Sequence, residues 1–136
     1  MKTLIVEDEF TSRLLLQQTL LEYGEVHIAA NGREAVEAVT AAIRADNPYD
    51  LIYLDIMMPE MNGQEALREI RRIEKEAGFQ CSPPGARIIM ATAMGDGKNV
   101  MAAFREQCDA YLVKPIDRAK LLQHLNDFGQ PVSVSL

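Results

Sequence analysis

Short apolar runs alternate along this chain with longer segments whose apolar residues recur every three or four positions. The short runs are typical of buried strands, and the longer segments have the period of helices that bury one face. Strands that alternate with helices in this way predict a parallel sheet covered on both sides. The sequence therefore predicts a doubly wound α/β fold whose five strands lie at residues 2–6, 26–29, 51–54, 87–91 and 110–113.

Five helical segments accompany these strands. Asn31, with Glu34 three residues later, is close to a capping box at the start of the second helix, and Asp117 is placed to cap the last. The fourth helix is the weakest prediction, because its apolar stripe is little more than Val100 and Phe104. The apolar residues that mark the first, second, third and last helices are Leu14, Leu15 and Leu21; Val36, Val39 and Ile43; Ala66, Ile70, Ile73 and Ala77; and Leu121, Leu125 and Phe128.

Length and charge narrow the classes of protein. A chain of 136 residues is long enough for one domain with a substantial core. The net charge of −6 and the lack of a Lys/Arg-rich stretch argue against direct binding of nucleic acid. No apolar run approaches the ~18 residues of a membrane span, and the first residues enter a strand-like run instead of a signal peptide. We therefore expect a cytoplasmic protein that is not bound to a membrane.

Polar side chains follow four of the predicted strands, at the point where each strand ends. Glu7 and Asp8 follow the first, Asp55 the third, Thr92 the fourth and Lys114 the fifth. Because the carboxyl ends of parallel strands share one edge of a sheet, where α/β proteins bind ligands, these groups are expected to converge. Clustered carboxylates repel one another unless a cation or raised pKa values relieve them. The pattern indicates a metal and phosphate site.

Each of these side chains suits a part of phosphoryl chemistry. Asp55 can act as a nucleophile toward phosphorus, and Glu7 and Asp8 offer the oxygen ligands that Mg²⁺ prefers. Thr92 can donate to a phosphoryl oxygen, and Lys114 is a compact positive charge. Each residue alone also has a structural explanation, as a helix cap, a first-turn acid or an ordinary strand-end polar residue. A first-turn acid is the role that we assign to Glu9, outside the site.

Together these motifs resemble the receiver domain of two-component response regulators. They are Glu7-Asp8, Asp55 with the following Met-Met-Pro-x-Met-Asn-Gly, Thr92-Ala93 and Lys114-Pro115, in that order. The resemblance implies a receiver domain at residues 1–128, followed by a C-terminal tail at 129–136. It implies a flavodoxin-like sheet with strand order 2-1-3-4-5. It also implies that a histidine kinase or a histidine phosphotransfer domain passes a phosphoryl group to Asp55. The sequence does not decide between a stand-alone receiver and a piece of a larger regulator.

The resemblance also implies a metal site. Asp8, Asp55 and the backbone carbonyl of Met57 would bind Mg²⁺ directly. Glu7 replaces the aspartate that is commoner at the first acidic position, and would act through water. Met57 has a further implied role together with Met94, since their side chains would flank the path of the water that hydrolyses the aspartyl phosphate. Both are apolar, so we expect a long-lived phosphate, unless both side chains point away from the site.

The remaining implied residues concern the switch. Thr92 and Lys114 would hold the phosphoryl oxygens, and Tyr111 takes the position of an aromatic switch; the alternative for Tyr111 is a half-buried strand aromatic. The face made by the fourth helix, the fifth strand and the last helix would then change its binding of an unknown downstream protein. We expect a monomer or a weak, phosphorylation-linked dimer. Such a protein is a signalling switch that takes part in its own Mg²⁺-dependent phosphorylation and dephosphorylation, and is not an enzyme in the usual sense.

Two other functions fit parts of this pattern. A phosphatase of the haloacid-dehalogenase type also uses an aspartyl phosphate, but it needs a second acid two residues after the nucleophile, where this chain has Met57. A pure interaction module with a vestigial site would have no reason to keep all five polar positions. Binding of Mg²⁺ together with a phosphate mimic would separate these alternatives from the receiver.

Overall fold

Five parallel strands form one sheet in the order β2-β1-β3-β4-β5. The computed structural model describes residues 1–56, 63–78, 85–92 and 108–129. The sheet order and the parallel pairing confirm the predicted flavodoxin-like topology, and each predicted strand boundary lies within one residue of the observed one. The strands are β1 (Lys2–Val6), β2 (Glu25–Ala29), β3 (Leu51–Asp55), β4 (Arg87–Thr92) and β5 (Ala110–Val113).

The described helices are α1 (Phe10–Leu20), α2 (Gly32–Arg44), α3 (Gly63–Ala77) and a C-terminal helix (Arg118–Asp127), with a 3₁₀ turn at Leu21–Tyr23. Asn31 and Asp117 cap α2 and the C-terminal helix as predicted, since their side chains accept hydrogen bonds from first-turn N–H groups. The predicted fourth helix, residues 79–84 and the tail at 130–136 lie outside the described residues.

The central strands β1, β3 and β4 are buried on both faces, since their alternate residues point to opposite sides and helices cover each side. Leu4 and Val6 of β1 pack toward α2 and α3, whereas Ile5 packs toward α1 and the C-terminal helix. All three side chains are fully buried. The carboxyl edge of the sheet lies between the two layers of helices. The ends of β1 and β3 are neighbours at this edge.

The predicted buried stripe of α1 is wrong. Leu14, Leu15 and Leu21 are 40%, 38% and 53% exposed, whereas Leu16 and Leu20 are fully buried. Three consecutive leucines at positions 14–16 fit more than one helical face, so spacing alone does not identify the buried one. The consequence is an apolar surface on α1, to which Phe10 also contributes with 65% of its surface exposed.

A buried charged network joins α3 to the starts of β4 and β5. Glu74 is 5% exposed, and its carboxylate accepts hydrogen bonds from Arg71 Nη1 (2.6 Å) and from the backbone N–H of Ala86 (2.7 Å). Arg71 also donates to the Ala86 carbonyl (2.9 Å) and to Asp109 (3.1 Å). A Cβ at Gly85 would collide with the Glu74 carboxylate. The network therefore holds both ends of the connection between α3 and β4.

Removing this carboxylate should be costly. We expect Glu74→Ala to lower the free energy of unfolding by about 2–3 kcal/mol, because the buried N–H of Ala86 loses its acceptor and the half-buried Arg71 guanidinium loses one of its carboxylate partners. Glu76→Ala is the matched control on the same helix, since Glu76 pairs with Arg72 on the exposed surface and should cost less than about 0.5 kcal/mol. Urea unfolding at pH 7 measures both. Equal losses in the two variants would contradict this role for Glu74.

Candidate metal and phosphate site

The described structure brings the predicted polar groups to one edge of the sheet. Glu7 and Asp8 leave the end of β1, and Asp55 is the last residue of β3, the strand beside it. Thr92 is the last residue of β4 and Lys114 directly follows β5. The backbone N–H of Lys114 donates to the Thr92 carbonyl (2.8 Å), so the two ends are tied together. The peptide bond between Lys114 and Pro115 is cis.

Lys114 links the two buried acids of the site. Its Nζ lies 2.8 Å from Oε1 and 3.1 Å from Oε2 of Glu7, and 3.1 Å from Oδ2 of Asp55. Glu7 is fully buried and Asp55 is 3% exposed. Oε2 of Glu7 also accepts a hydrogen bond from the backbone N–H of Glu9 (3.4 Å). The direct ion pair between Lys114 and Glu7 is a contact that the sequence pattern did not predict.

The electrostatics of the site favour a cation. The pKa of Glu7 is raised to about 7, first by burial and then by its hydrogen bond with Asp55, while Lys114 opposes the shift. Burial alone would lower the pKa of Lys114, but its contacts with Glu7 and Asp55 raise it overall. Among the described residues, the three carboxylates face one ammonium, so this group carries a surplus of negative charge when all are ionised. A raised acid pKa is how a metal-free site relieves that surplus.

The donor set fits a hard divalent cation. Glu7, Asp8 and Asp55 each offer a carboxylate oxygen, and these atoms lie within 4.8 Å of one another. Mg²⁺ takes oxygen ligands about 2.1 Å away and keeps several waters, so two or three carboxylates at this spacing can share it. Asp8 is exposed, unlike the other two, and so gives solvent access to the group. The predicted backbone ligand Met57 lies outside the described residues.

Gly63 fixes the backbone just after Asp55. Its N–H donates to the Ile56 carbonyl (3.0 Å), and a Cβ here would collide with the Asp55 carbonyl oxygen and with Ile56 Cα. The first residue of α3 therefore packs directly on the backbone of the strand end. The sequence placed this glycine at the end of the motif that follows Asp55, but did not indicate that it supports the backbone of Asp55.

Tyr111 and Glu9 lie within the described residues, whereas Met57 and Met94 do not. Tyr111 lies in β5, half-buried, and packs against the core on the side of α2 and α3. Met57 and Met94 lie outside the described residues, so their proposed effect on hydrolysis stays a prediction. Glu9 caps α1: its carboxylate accepts hydrogen bonds from Ser12 (2.6 Å) and Thr11 (3.1 Å), which lower its pKa to about 2. Glu9 therefore has a structural role at the start of α1, as its N-cap and not as the first-turn acid that the sequence predicted.

The family model for the response regulator receiver domain matches residues 3–126. The chain belongs to this family. It is therefore the receiver domain of a two-component signalling system, as the motifs predicted, and the acids at positions 7, 8 and 55 form the acidic pocket of that domain. Among the described residues, no helix has both the length and the apolar content that a bilayer crossing needs.

Relatives among known proteins agree with this assignment. The chain is 33% identical over 127 residues to the chemotaxis protein CheY of Thermotoga maritima, covering 92% of this receiver and 94% of that protein. It is 37% identical over 113 residues to the transcriptional regulatory protein SrrA of Staphylococcus aureus, covering 82% of this receiver but 41% of SrrA. Whole proteins and parts of larger regulators thus both resemble this receiver.

Solved structures share the fold closely. The receiver domain of a sensor histidine kinase from Pseudomonas aeruginosa, which has a magnesium ion in its active-site cleft, superposes with a TM-score of 0.72 at 28% identity, covering 94% of this chain and 97% of that one. A CheX–CheY complex from Borrelia burgdorferi with BeF₃ and Mg²⁺ gives a TM-score of 0.76 at 31% identity, covering 94% and 89%. These ligands belong to those proteins.

Proposed function

We propose that Asp55 of this receiver accepts a phosphoryl group from a phosphohistidine in a Mg²⁺-dependent reaction. The observation that carries the proposal is the position of the Asp55 carboxylate. It ends a buried strand, lies 3.1 Å from the Lys114 ammonium, and has two further carboxylates within 4.8 Å. A nucleophile, a cation for the phosphoryl oxygens and a set of oxygen ligands for a metal are thus in one place. The donor would be a histidine kinase or a histidine phosphotransfer domain.

In the proposed reaction, an Asp55 carboxylate oxygen forms a bond to phosphorus as the bond from phosphorus to the histidine nitrogen breaks. The imidazole leaves with the electron pair of that bond and remains on the donor protein. Asp8 and Asp55, with the carbonyl of Met57, would hold Mg²⁺, and Glu7 would act through water; the ion neutralises charge on the transferring group. Lys114 holds a phosphoryl oxygen, and the Thr92 hydroxyl donates to another. Catalysis here rests on positioning and on charge.

Beryllofluoride, a mimic of the phosphoryl group, tests this proposal without a protein donor. Fluorine NMR should show one bound species when beryllofluoride and Mg²⁺ are both present, and none with beryllofluoride alone.

Asp8→Ala should weaken Mg²⁺ binding by more than about tenfold, and more than Glu7→Ala does, because Asp8 is assigned direct contact with the ion. Binding that is independent of Mg²⁺ would contradict the proposal, and the reverse order of the two variants would contradict the assignment of the acids.

The exposed apolar residues of α1 support a protein phosphodonor. Phe10 begins the helix two residues after Asp8, and Leu14 follows one turn later, so an apolar surface borders the mouth of the site. An apolar surface beside a catalytic carboxylate fits a partner that docks on α1 while it presents its phosphohistidine.

A charge on this surface should separate docking from chemistry. We expect Phe10→Asp to slow phosphoryl transfer from a kinase or phosphotransfer domain by about tenfold or more, and to leave labelling by acetyl phosphate within about twofold. Leu21→Asp is the matched control, since Leu21 is similarly exposed but lies about 16 Å further along the helix direction. Equal slowing by the two variants, or slowing with acetyl phosphate, would contradict docking at Phe10.

The output of the switch remains a proposal. Tyr111 packs half-buried on β5, where a rotation of its ring would alter the surface beside that strand. We infer that phosphorylation draws Thr92 toward the phosphoryl group and that Tyr111 follows, which changes how the face of β5 and the C-terminal helix binds a downstream protein. The predicted fourth helix, the third part of this face, lies outside the described residues.

A further inference from the structure

Tyr53 places a polar atom deep in an otherwise apolar layer. It lies in β3 two residues before Asp55, and its partner on β1 is Ile5, two residues before Glu7. Because alternate residues of a strand share a face, Tyr53, Asp55, Ile5 and Glu7 all face the layer of α1 and the C-terminal helix. The Tyr53 side chain is fully buried, and its hydroxyl oxygen has no hydrogen-bond partner within the described part of the chain. Buried tyrosine hydroxyls usually have a partner.

The surroundings of this hydroxyl are the acids of the phosphate site. The pKa of the Tyr53 phenol is raised first by burial, then by the negative charges of Glu7 and Asp55, and last by the approach of the hydroxyl to the Glu7 side chain. The phenol therefore keeps its proton and can only donate toward these carboxylates. The phenol oxygen is also the far end of a long side chain. The side chain of Glu7 is one methylene longer than that of an aspartate. Its carboxylate can therefore reach closer to the Tyr53 phenol oxygen than an aspartate at this position could.

Glu7 needs a second donor during the proposed reaction. Lys114 is the ion-pair partner of its Oε1 at 2.8 Å, and the same ammonium lies 3.1 Å from Asp55. If Lys114 turns to a phosphoryl group on Asp55, Oε1 loses this partner, whereas Oε2 keeps the N–H of Glu9. A fully buried carboxylate oxygen without a donor is costly.

We infer that Tyr53 is a positioning residue whose hydroxyl donates a hydrogen bond to the Glu7 carboxylate once Lys114 turns to the phosphoryl group. This inference rests on the proposed function. The exchange of donors keeps Glu7 in place beside the metal at the moment when its ion pair with Lys114 is broken. It also gives a reason for glutamate at position 7, because the longer side chain can accept a hydrogen bond from the Tyr53 hydroxyl.

Tyr53→Phe removes the hydroxyl and keeps the ring. We expect Mg²⁺ to bind this variant about tenfold more weakly than wild type in the presence of beryllofluoride, and within twofold of wild type in its absence. Tyr49→Phe is the matched control, since Tyr49 is also buried but its hydroxyl bonds to His27 Nδ1 (2.7 Å) on the other face of the sheet. It should leave both affinities unchanged. Calorimetry measures the affinities.

Tyrosine absorption provides a second readout. The chain has four tyrosines and no tryptophan, so an ultraviolet difference spectrum on adding beryllofluoride and Mg²⁺ reports on tyrosine alone. We expect a change that Tyr53→Phe reduces and that Tyr49→Phe leaves intact. Glu7→Asp should also reduce this difference signal although Tyr53 is present, because the shorter side chain moves the carboxylate away from the Tyr53 hydroxyl. In this background, Tyr53→Phe should have no further effect on affinity.

The outcomes separate this inference from the proposed function. Wild-type protein that binds neither Mg²⁺ nor beryllofluoride overturns the proposed function and the inference with it. Wild-type protein that binds both, with Tyr53→Phe within twofold in affinity and unchanged in spectrum, overturns the inference alone. If Tyr53→Phe does not fold, Glu7→Asp decides the question through the spectrum, since a full tyrosine signal in that variant overturns the inference.

Discussion

Asp55→Asn should abolish Mg²⁺-dependent labelling by acetyl phosphate. The asparagine amide keeps the size of the side chain and a carbonyl oxygen near Lys114, but it is a far weaker nucleophile toward phosphorus and loses the negative charge that helps to hold the metal. A fall of at least about 10³-fold in the labelling rate corresponds to about 4 kcal/mol of barrier. The substitution should not unfold the protein, because it removes one of two neighbouring buried acids that repel each other. The loss of labelling therefore reports on the chemistry.

The control for this variant is Asp50→Asn. Asp50 lies just before β3 at the opposite end of the same strand, where it accepts a hydrogen bond from the backbone N–H of Lys2 (2.8 Å). It is exposed and far from the site, so labelling should match wild type. If Asp55→Asn were labelled at the wild-type rate, the phosphoryl group would be going to another side chain.

Glu7→Gln should stabilise the metal-free receiver at neutral and alkaline pH. The pKa of Glu7 is raised from 4.5 to about 7 in the folded protein, so between these values the folded state holds a proton that the unfolded state has lost. The stability that this proton confers is complete below pH 4.5 and is lost as pH rises toward 7. Glutamine imitates the protonated side chain at every pH. We expect the variant to equal wild type near pH 4.5 and to exceed it by roughly 2–3 kcal/mol at pH 8.

Urea unfolding with a chelator present, repeated from pH 4.5 to 8, measures the difference between the two proteins. Taking the difference removes the contributions of other acids, such as Glu9, whose lowered pKa gives the opposite slope. Mg²⁺ should narrow the gap at pH 8, since it stabilises the wild-type carboxylate by binding to the folded state. A difference between the proteins that grows toward low pH would contradict the raised pKa of Glu7.

The sequence was sufficient to predict the sheet and most of the pocket. Apolar runs that end in acids, a hydroxyl or a lysine place those groups at one edge as soon as the strands are parallel, because strand direction alone determines which ends meet. Asp55 and Lys114 are 59 residues apart in the chain, yet 3.1 Å separates their charged atoms. The order of the motifs along the chain then identified the receiver family.

Contacts that depend on side-chain packing could not be predicted in this way. The pairing of Lys114 with Glu7 depends on the full burial of Glu7 and the partial burial of Lys114. The network around Glu74 is made of polar side chains, so the spacing of apolar residues does not predict it. The buried face of α1 was misassigned because Leu14, Leu15 and Leu16 are equivalent in hydrophobicity, and only the sheet below distinguishes them. The apolar pattern places Tyr53 in a buried strand but assigns no role to its hydroxyl. A tyrosine two residues before a site acid at a strand end shares the face of that acid, and this spacing is a signal that the sequence does contain.

The most direct test of the account is to locate the phosphoryl group. Borohydride reduces an aspartyl phosphate to homoserine, so peptide mass spectrometry of receiver that was labelled by acetyl phosphate with Mg²⁺ and then reduced gives the site. We expect homoserine at position 55 and unmodified acids at positions 7 and 8. Reduction at either of those acids, or a stable phosphoryl group on His27 or His124 with Asp55 unmodified, would contradict it.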